Sequence, residues 1–221
     1  MFRELLLQRT NVFGNEREDG LHPSQIARDP YCLRRHKLEI KYGPGVTNEL
    51  QLLFNIGHML HDFYRDRYFP EIYDKEKRIC FYLPSSVDGE QIKVVGSIDG
   101  KIMVEETPCL VEIKSTGSEA WKMFRRPKAT HINQMQLYMY AENLQYGYLI
   151  YINKDTGDIK EWIVDYDPDT VESLFNLIVE IDDAERKDEL PLAHKKCTPS
   201  SVMRSQCPFS ERCFPHTTED E

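Results

Sequence analysis

The chain has 221 residues, 40% of them hydrophobic, and a formal net charge of −9. That length and composition suit one domain with a sizeable core, and the charge argues against a protein that coats nucleic acid non-specifically, since neutralising phosphates takes an excess of Lys and Arg. No apolar run approaches the roughly 20 residues needed to cross a bilayer, and Gln8-Arg9 interrupt the apolar start before a signal-peptide core forms, so a soluble, cytoplasmic protein is expected.

In chain order, the N-terminal third reads as helical. Pro23 opens a short helix expected to carry Cys32 near its end. Over residues 48–68, Leu50, Leu53, Phe54, Gly57, Leu60, His61 and Tyr64 recur at helical spacing and predict a helix with one buried face. From Lys77 the period changes, and 78–83, 91–98, 101–104 and 110–114 predict the strands of a meander. A helix follows over 130–143, with Thr130 as its cap. Strands over 147–153 and 160–166 are joined by a hairpin signal, Lys154-Asp155-Thr156-Gly157-Asp158, and a helix over 168–187 closes the regular part. This order implies an α/β fold, a central mixed sheet flanked by helices. Residues 217–221 read as disordered.

The chemistry concentrates in two strand ends, Gly96-Ser97-Ile98-Asp99 and Glu112-Ile113-Lys114. Glu112 and Lys114, two apart on one strand, project to the same face, and Asp99 meets them there if the intervening strands form a hairpin. Two carboxylates at one point suit Mg²⁺ or Mn²⁺, with the Ile113 carbonyl as a further oxygen ligand, and a neighbouring Lys orients or activates the attacking water. Alone, the pattern is equally that of an Asp-Gly turn and a surface cross-strand pair. Charges at the end of an apolar strand are costly, however, unless they open onto a site. His61 lies one turn beyond Gly57, and Gln134 and Tyr138 share a helix face.

Six cysteines without a secretory signal point away from disulfides. Cys80 and Cys109 lie among strand residues and are expected in the core. Cys32 stands near the start, and Cys197, Cys207 and Cys213 follow the last helix.

Taken in order, Gly57 with His61, Gly96 with Asp99, Glu112 with Lys114 and Gln134 with Tyr138 make the chain resemble the RecB-like branch of the PD-(D/E)xK nucleases. The resemblance is strongest to the iron–sulfur members, which include the AddB nuclease domain and small CRISPR-associated and phage-encoded exonucleases. It spans about residues 22–215 and implies a restriction-endonuclease-like core in a single nuclease domain, 1–221. Within it, 22–68 is a helical part bearing the first cluster Cys, 77–187 the core, and 190–215 the C-terminal cluster segment. The resemblance further implies that His61, Asp99 and Glu112 hold the metal, that Lys114 assists the water, and that Gln134 and Tyr138 position DNA or the Lys. Cys32, Cys197, Cys207 and Cys213 would hold a [4Fe–4S] cluster, or else Zn²⁺, and so join the two ends of the chain. The family usually has two residues between its second and third cysteines, where this chain has 198–206, a departure that leaves the metal and the role of Cys197 open.

The implied function is a metal-dependent exonuclease acting on single-stranded DNA ends in phage or host recombination and repair, in a bacterial or archaeal cell. Alternatives are DNA trimming with protein partners in a CRISPR spacer-acquisition complex, and an inactive nuclease-fold module that binds or scaffolds DNA. Arg34, Arg35, Trp121, Lys122, Arg125 and Arg126 are the candidate DNA-binding residues, charges for the backbone with an aromatic ring for the bases.

Overall fold

The computed structural model describes residues 18–198 and 200–214. The readings of the N-terminal apolar start and of 217–221 lie outside these residues. Helix α1 (Pro23–Ile26) is a single turn, and Cys32 does not ride on it. Pro30 disfavours helix at the residue before it, and Cys32 instead precedes a second helix, α2 (Leu33–Tyr42), as its N-cap. Helix α3 (Asn48–Arg67) begins at Thr47, whose hydroxyl accepts the Leu50 N–H at 3.3 Å.

Strands β1 (Arg78–Pro84) and β2 (Gln91–Ser97) pair antiparallel, as do β3 (Gly100–Val104) and β4 (Thr107–Thr116). The predicted meander is nevertheless broken, because the two hairpins belong to separate sheets, one of two strands and one of four in the order β3-β4-β5-β6. The outer edge of β3 is already taken: Tyr73 and Lys101 exchange two backbone hydrogen bonds of 2.9 Å. A side chain at Gly100 would collide with Ile72 and come 3.0 Å from the Tyr73 carbonyl oxygen. The chain therefore leaves β2 and enters β3 through Ile98-Asp99, which belong to neither ladder.

A short helix, α4 (Ser118–Met123), and a longer one, α5 (Ala129–Glu142), lie between β4 and β5 (Tyr146–Asn153). β4 and β5 pair in parallel, and β5 pairs antiparallel with β6 (Ile159–Asp165), which makes the sheet mixed. Lys128, not Thr130, is the N-cap of α5, and the helix stops at Asn143 in the left-handed conformation, φ 53°. Six consecutive residues of α5, 134–139, are buried, because it packs on the main sheet on one side and against α1, β1 and α6 (Pro168–Arg186) on the other. Buried Gln136 is satisfied at both ends, donating to the Asp165 carbonyl and accepting the Asp167 N–H, each at 2.8 Å. Helix α6 opens at Pro168 under an Asp167 cap and buries Val171, Leu174, Ile178 and Ile181. Two one-turn helices, α7 (Val202–Ser205) and α8 (Ser210–Cys213), follow.

The apolar face expected for α3 is only half used. Its C-terminal half rests on β4, where Tyr64 joins the cluster of Ile72, Val111 and Ile113. Leu50, Leu53 and Phe54, by contrast, are 40%, 51% and 46% exposed.

Candidate functional site

Glu112 and Lys114 rise from one face of β4, with the Lys114 ammonium 2.5 Å from Glu112 Oε1. Asp99, freed from both ladders, turns its carboxylate onto β4 and accepts the Ile113 N–H at 2.6 Å through Oδ2. His61, carried by the half of α3 that rests on β4, brings Nε2 to 2.6 Å from the same oxygen. His61 and Asp99 thus meet at one oxygen, and Glu112 and Lys114 stand within electrostatic reach of them. Glu76, which no sequence pattern singled out, joins them: one ligand atom each of His61, Glu76 and Asp99 all lie within 4.8 Å of one another. Glu76 also pairs with Arg65, a buried cation on α3 that sits 3.1 Å from Asp62 and 3.2 Å from Asp66.

The electrostatics follow from crowding two carboxylates under cover. Glu112 is 1% exposed, and burial together with the Asp99 charge pushes its carboxyl up to about 7 despite Lys114. Burial pushes Asp99 the same way, but the His61 hydrogen bond and the charges of His61 and Lys114 win and hold it below the usual carboxylate range. His61 and Lys114 are both raised, their burial outweighed by the acidic neighbours. Among the described residues Glu112 Oε2 is buried without a hydrogen-bond partner. An orphaned buried carboxylate oxygen within electrostatic reach of a second carboxylate and an imidazole fits a hard divalent cation, which would satisfy it. Gln134 Nε2 donates to Tyr138 Oη at 2.9 Å, one helical turn apart on α5. Burial and the Glu112 charge raise the Tyr138 phenol well above its ordinary value, so it stays protonated.

The four predicted thiols lie within electrostatic reach of one another. Burial raises Cys197, and the charges of Cys32, Cys207 and Cys213 add to that rise. Cys213 is raised by burial against a hydrogen bond from Arg34. Of the other two, Cys109 is buried, with its Sγ 3.3 Å from the Thr107 carbonyl, and Cys80 is half-buried on β1.

The basic stretches divide. Arg34 donates to the Pro191 carbonyl at 3.2 Å besides approaching Cys213, and Arg35 pairs with Glu39 at 2.9 Å. Lys37 donates to carbonyls at the end of α6, 2.9 Å to Ala184 and 2.7 Å to Glu185. That run ties α2 to the C-terminal segment. The run around α4 is open: Arg125 and Arg126 are exposed, Lys122 pairs with Glu119 at 3.0 Å, and the Lys160 ammonium lies 4.3 Å over the Trp121 ring.

A mixed α/β fold with a carboxylate-histidine-lysine group at the end of its β4 strand defines the class of site. No protein-family model and no curated protein matches the chain. Among solved structures, that of SSO0001 matches with a TM-score of 0.62 and 19% identity over 96% of each chain, a shared fold. Looser likenesses reach an alkaline exonuclease (LHK-Exo) from Laribacter hongkongensis and a phage-related exonuclease from Haemophilus somnus. The first has a TM-score of 0.49 at 18% identity over 83% of this chain and 92% of that one, and the second 0.33 at 12% over 83% and 79%. No helix among the described residues is long and apolar enough to cross a membrane.

Proposed function

We propose that this chain is a metal-dependent deoxyribonuclease of the PD-(D/E)xK class that removes nucleotides from the ends of DNA, preferring single strands. The observation that carries the reading is the Glu112 carboxylate, buried on β4 with one oxygen held by Lys114 and the other left without a partner among the described residues. Burying such a group is costly unless a further ligand binds it. In this reading His61, Asp99, Glu112 and the Ile113 carbonyl hold Mg²⁺ or Mn²⁺, which when bound polarises the scissile phosphate and makes water a better nucleophile. Lys114, kept protonated by the carboxylates, sets a fixed positive charge where negative charge develops. Gln134 and Tyr138 orient the strand or Lys114. Trp121, Lys122, Arg125 and Arg126 offer a stacking ring and backbone-binding charges.

End-labelled single- and double-stranded DNA incubated with Mg²⁺, Mn²⁺ or EDTA tests this. Shortening from the ends is expected with either metal and not with EDTA, faster on single strands. Glu112→Ala should lower the rate by about a hundredfold or more. Unchanged degradation by Glu112→Ala, or full activity in EDTA, would sink the assignment.

The thiols are read as ligands of a [4Fe–4S] cluster. A colourless protein containing zinc and no iron would reverse the choice.

A further inference from the structure

Beside the acidic group stands a pair of side chains to which the proposed reaction gives no task. Parallel pairing sets Tyr151 of β5 opposite Lys114 of β4, so the two rise from the same face of the sheet, about 5 Å apart at the backbone. His131 lies in the first turn of α5, on the same stripe as Gln134 and Tyr138. Its ring packs on Tyr151 with centroids 5.4 Å apart, and its Nδ1 is 2.6 Å from Tyr151 Oη.

Tyr151 is 1% exposed, so its hydroxyl hydrogen needs an acceptor within the protein. Oη accepts the Lys128 N–H at 3.2 Å, and its other hydrogen-bond partner among the described residues is His131 Nδ1. The hydroxyl therefore donates to Nδ1, which leaves the imidazole hydrogen on Nε2. Nε2 meets no partner among the described residues. Burial and the ammonium groups of Lys114 and Lys128 push the His131 imidazolium down to about 3, so the ring is uncharged in ordinary buffers.

We propose that His131 Nε2 donates a hydrogen bond to a non-bridging phosphate oxygen of the bound DNA strand, with Tyr151 as the positioning residue that holds the ring in the required tautomer. This deepens the nuclease reading and rests on it. An uncharged donor suits the place, because a cationic ring there would repel Lys114, whereas an N–H dipole binds phosphate and leaves the ammonium undisturbed.

Equilibrium binding of a fluorescein-labelled single-stranded oligonucleotide in EDTA, across a salt series, tests the assignment, with wild-type cleavage measured in parallel. His131→Phe should weaken binding about tenfold and leave the slope of log Kd against log salt unchanged, since no charge is lost. His131→Gln keeps an N–H at the reach of Nε2 and should recover most of the affinity. His131→Asn reproduces only the Nδ1 end and should not, which keeps the test decisive if the Phe variant folds poorly. Tyr151→Phe should fall between wild type and His131→Phe. Wild-type affinity in both His131→Phe and His131→Asn, while the parent degrades DNA, would overturn the role of His131 and leave the nuclease standing. A salt slope shallower by about 0.7 in His131→Phe would mark a charged contact and overturn the uncharged donor. A parent that neither binds nor degrades DNA would remove both readings.

Discussion

Glu112 and Lys114 owe their positions to a strand, and Asp99 to the junction between two, so the β5 ladder on one side of β4 and the Asp99–Ile113 hydrogen bond on the other fix where they sit. Cys32 comes instead from a helix cap, Cys197 and Cys207 from turns, and Cys213 from the end of a four-residue helix. The acidic group is therefore organised by the fold alone, and burial of its carboxylates carries an electrostatic cost. The thiol group has little regular structure to hold it, and in the proposed reading its order depends on the metal group its sulfurs bind.

The largest effect that separates the two regions is expected from removing the bound metal. Cys207→Ala, or stripping with a strong chelator and oxidant, should lower the melting temperature by about 10 °C or more. Glu112→Ala should shift it less. Calorimetry on both variants checks the contrast, and equal melting temperatures for Cys207→Ala and wild type would erase it.

A smaller effect comes from the electrostatic cost at the acidic site. The Glu112 carboxyl in the folded protein stands at about 7, above its unfolded value of 4.5. Its contribution to stability is thus full below pH 4.5 and is lost as pH rises through 7. Glu112→Gln does not titrate, so in metal-free buffer it should overtake wild type between acid and neutral pH by on the order of 2 kcal/mol. Mg²⁺ should narrow the gap. Denaturant melts at pH 5 and pH 8 measure it, and a difference independent of pH would contradict the buried-charge account.

The smallest effect tests whether the fold alone places His61. Thr47→Ala removes the cap of α3 and should cost about 1 kcal/mol. Because His61 sits on the half of α3 packed against β4, the nuclease rate at 25 °C should hardly change. A large loss of rate would mean that the exposed N-terminal half of the helix also helps set the site.

Local pattern made much of this molecule readable in advance. Period-two runs placed the six strands, helical spacing placed α3, α5 and α6, and the Glu112-Lys114 spacing put both side chains on one face of β4. The break in the meander was not readable, because it arises from Tyr73 occupying the edge of β3, a contact between segments that share no pattern. Glu76 was missed for the same reason: nothing near Asp74-Lys75-Glu76 marks it, and the turn after α3 alone brings it to His61 and Asp99. His131 was in plain view one turn before Gln134, but its tautomer depends on a tyrosine 20 residues away.

The sequence by itself determined the kinds of element, the face each one presents and the residue types able to hold a cation, since these depend on spacing along a single strand or helix. Tertiary structure alone decided which edges were free to pair, which apolar faces found a partner and which carboxylates were pressed together out of water. Those outcomes depend on distances between remote segments, which no local period encodes.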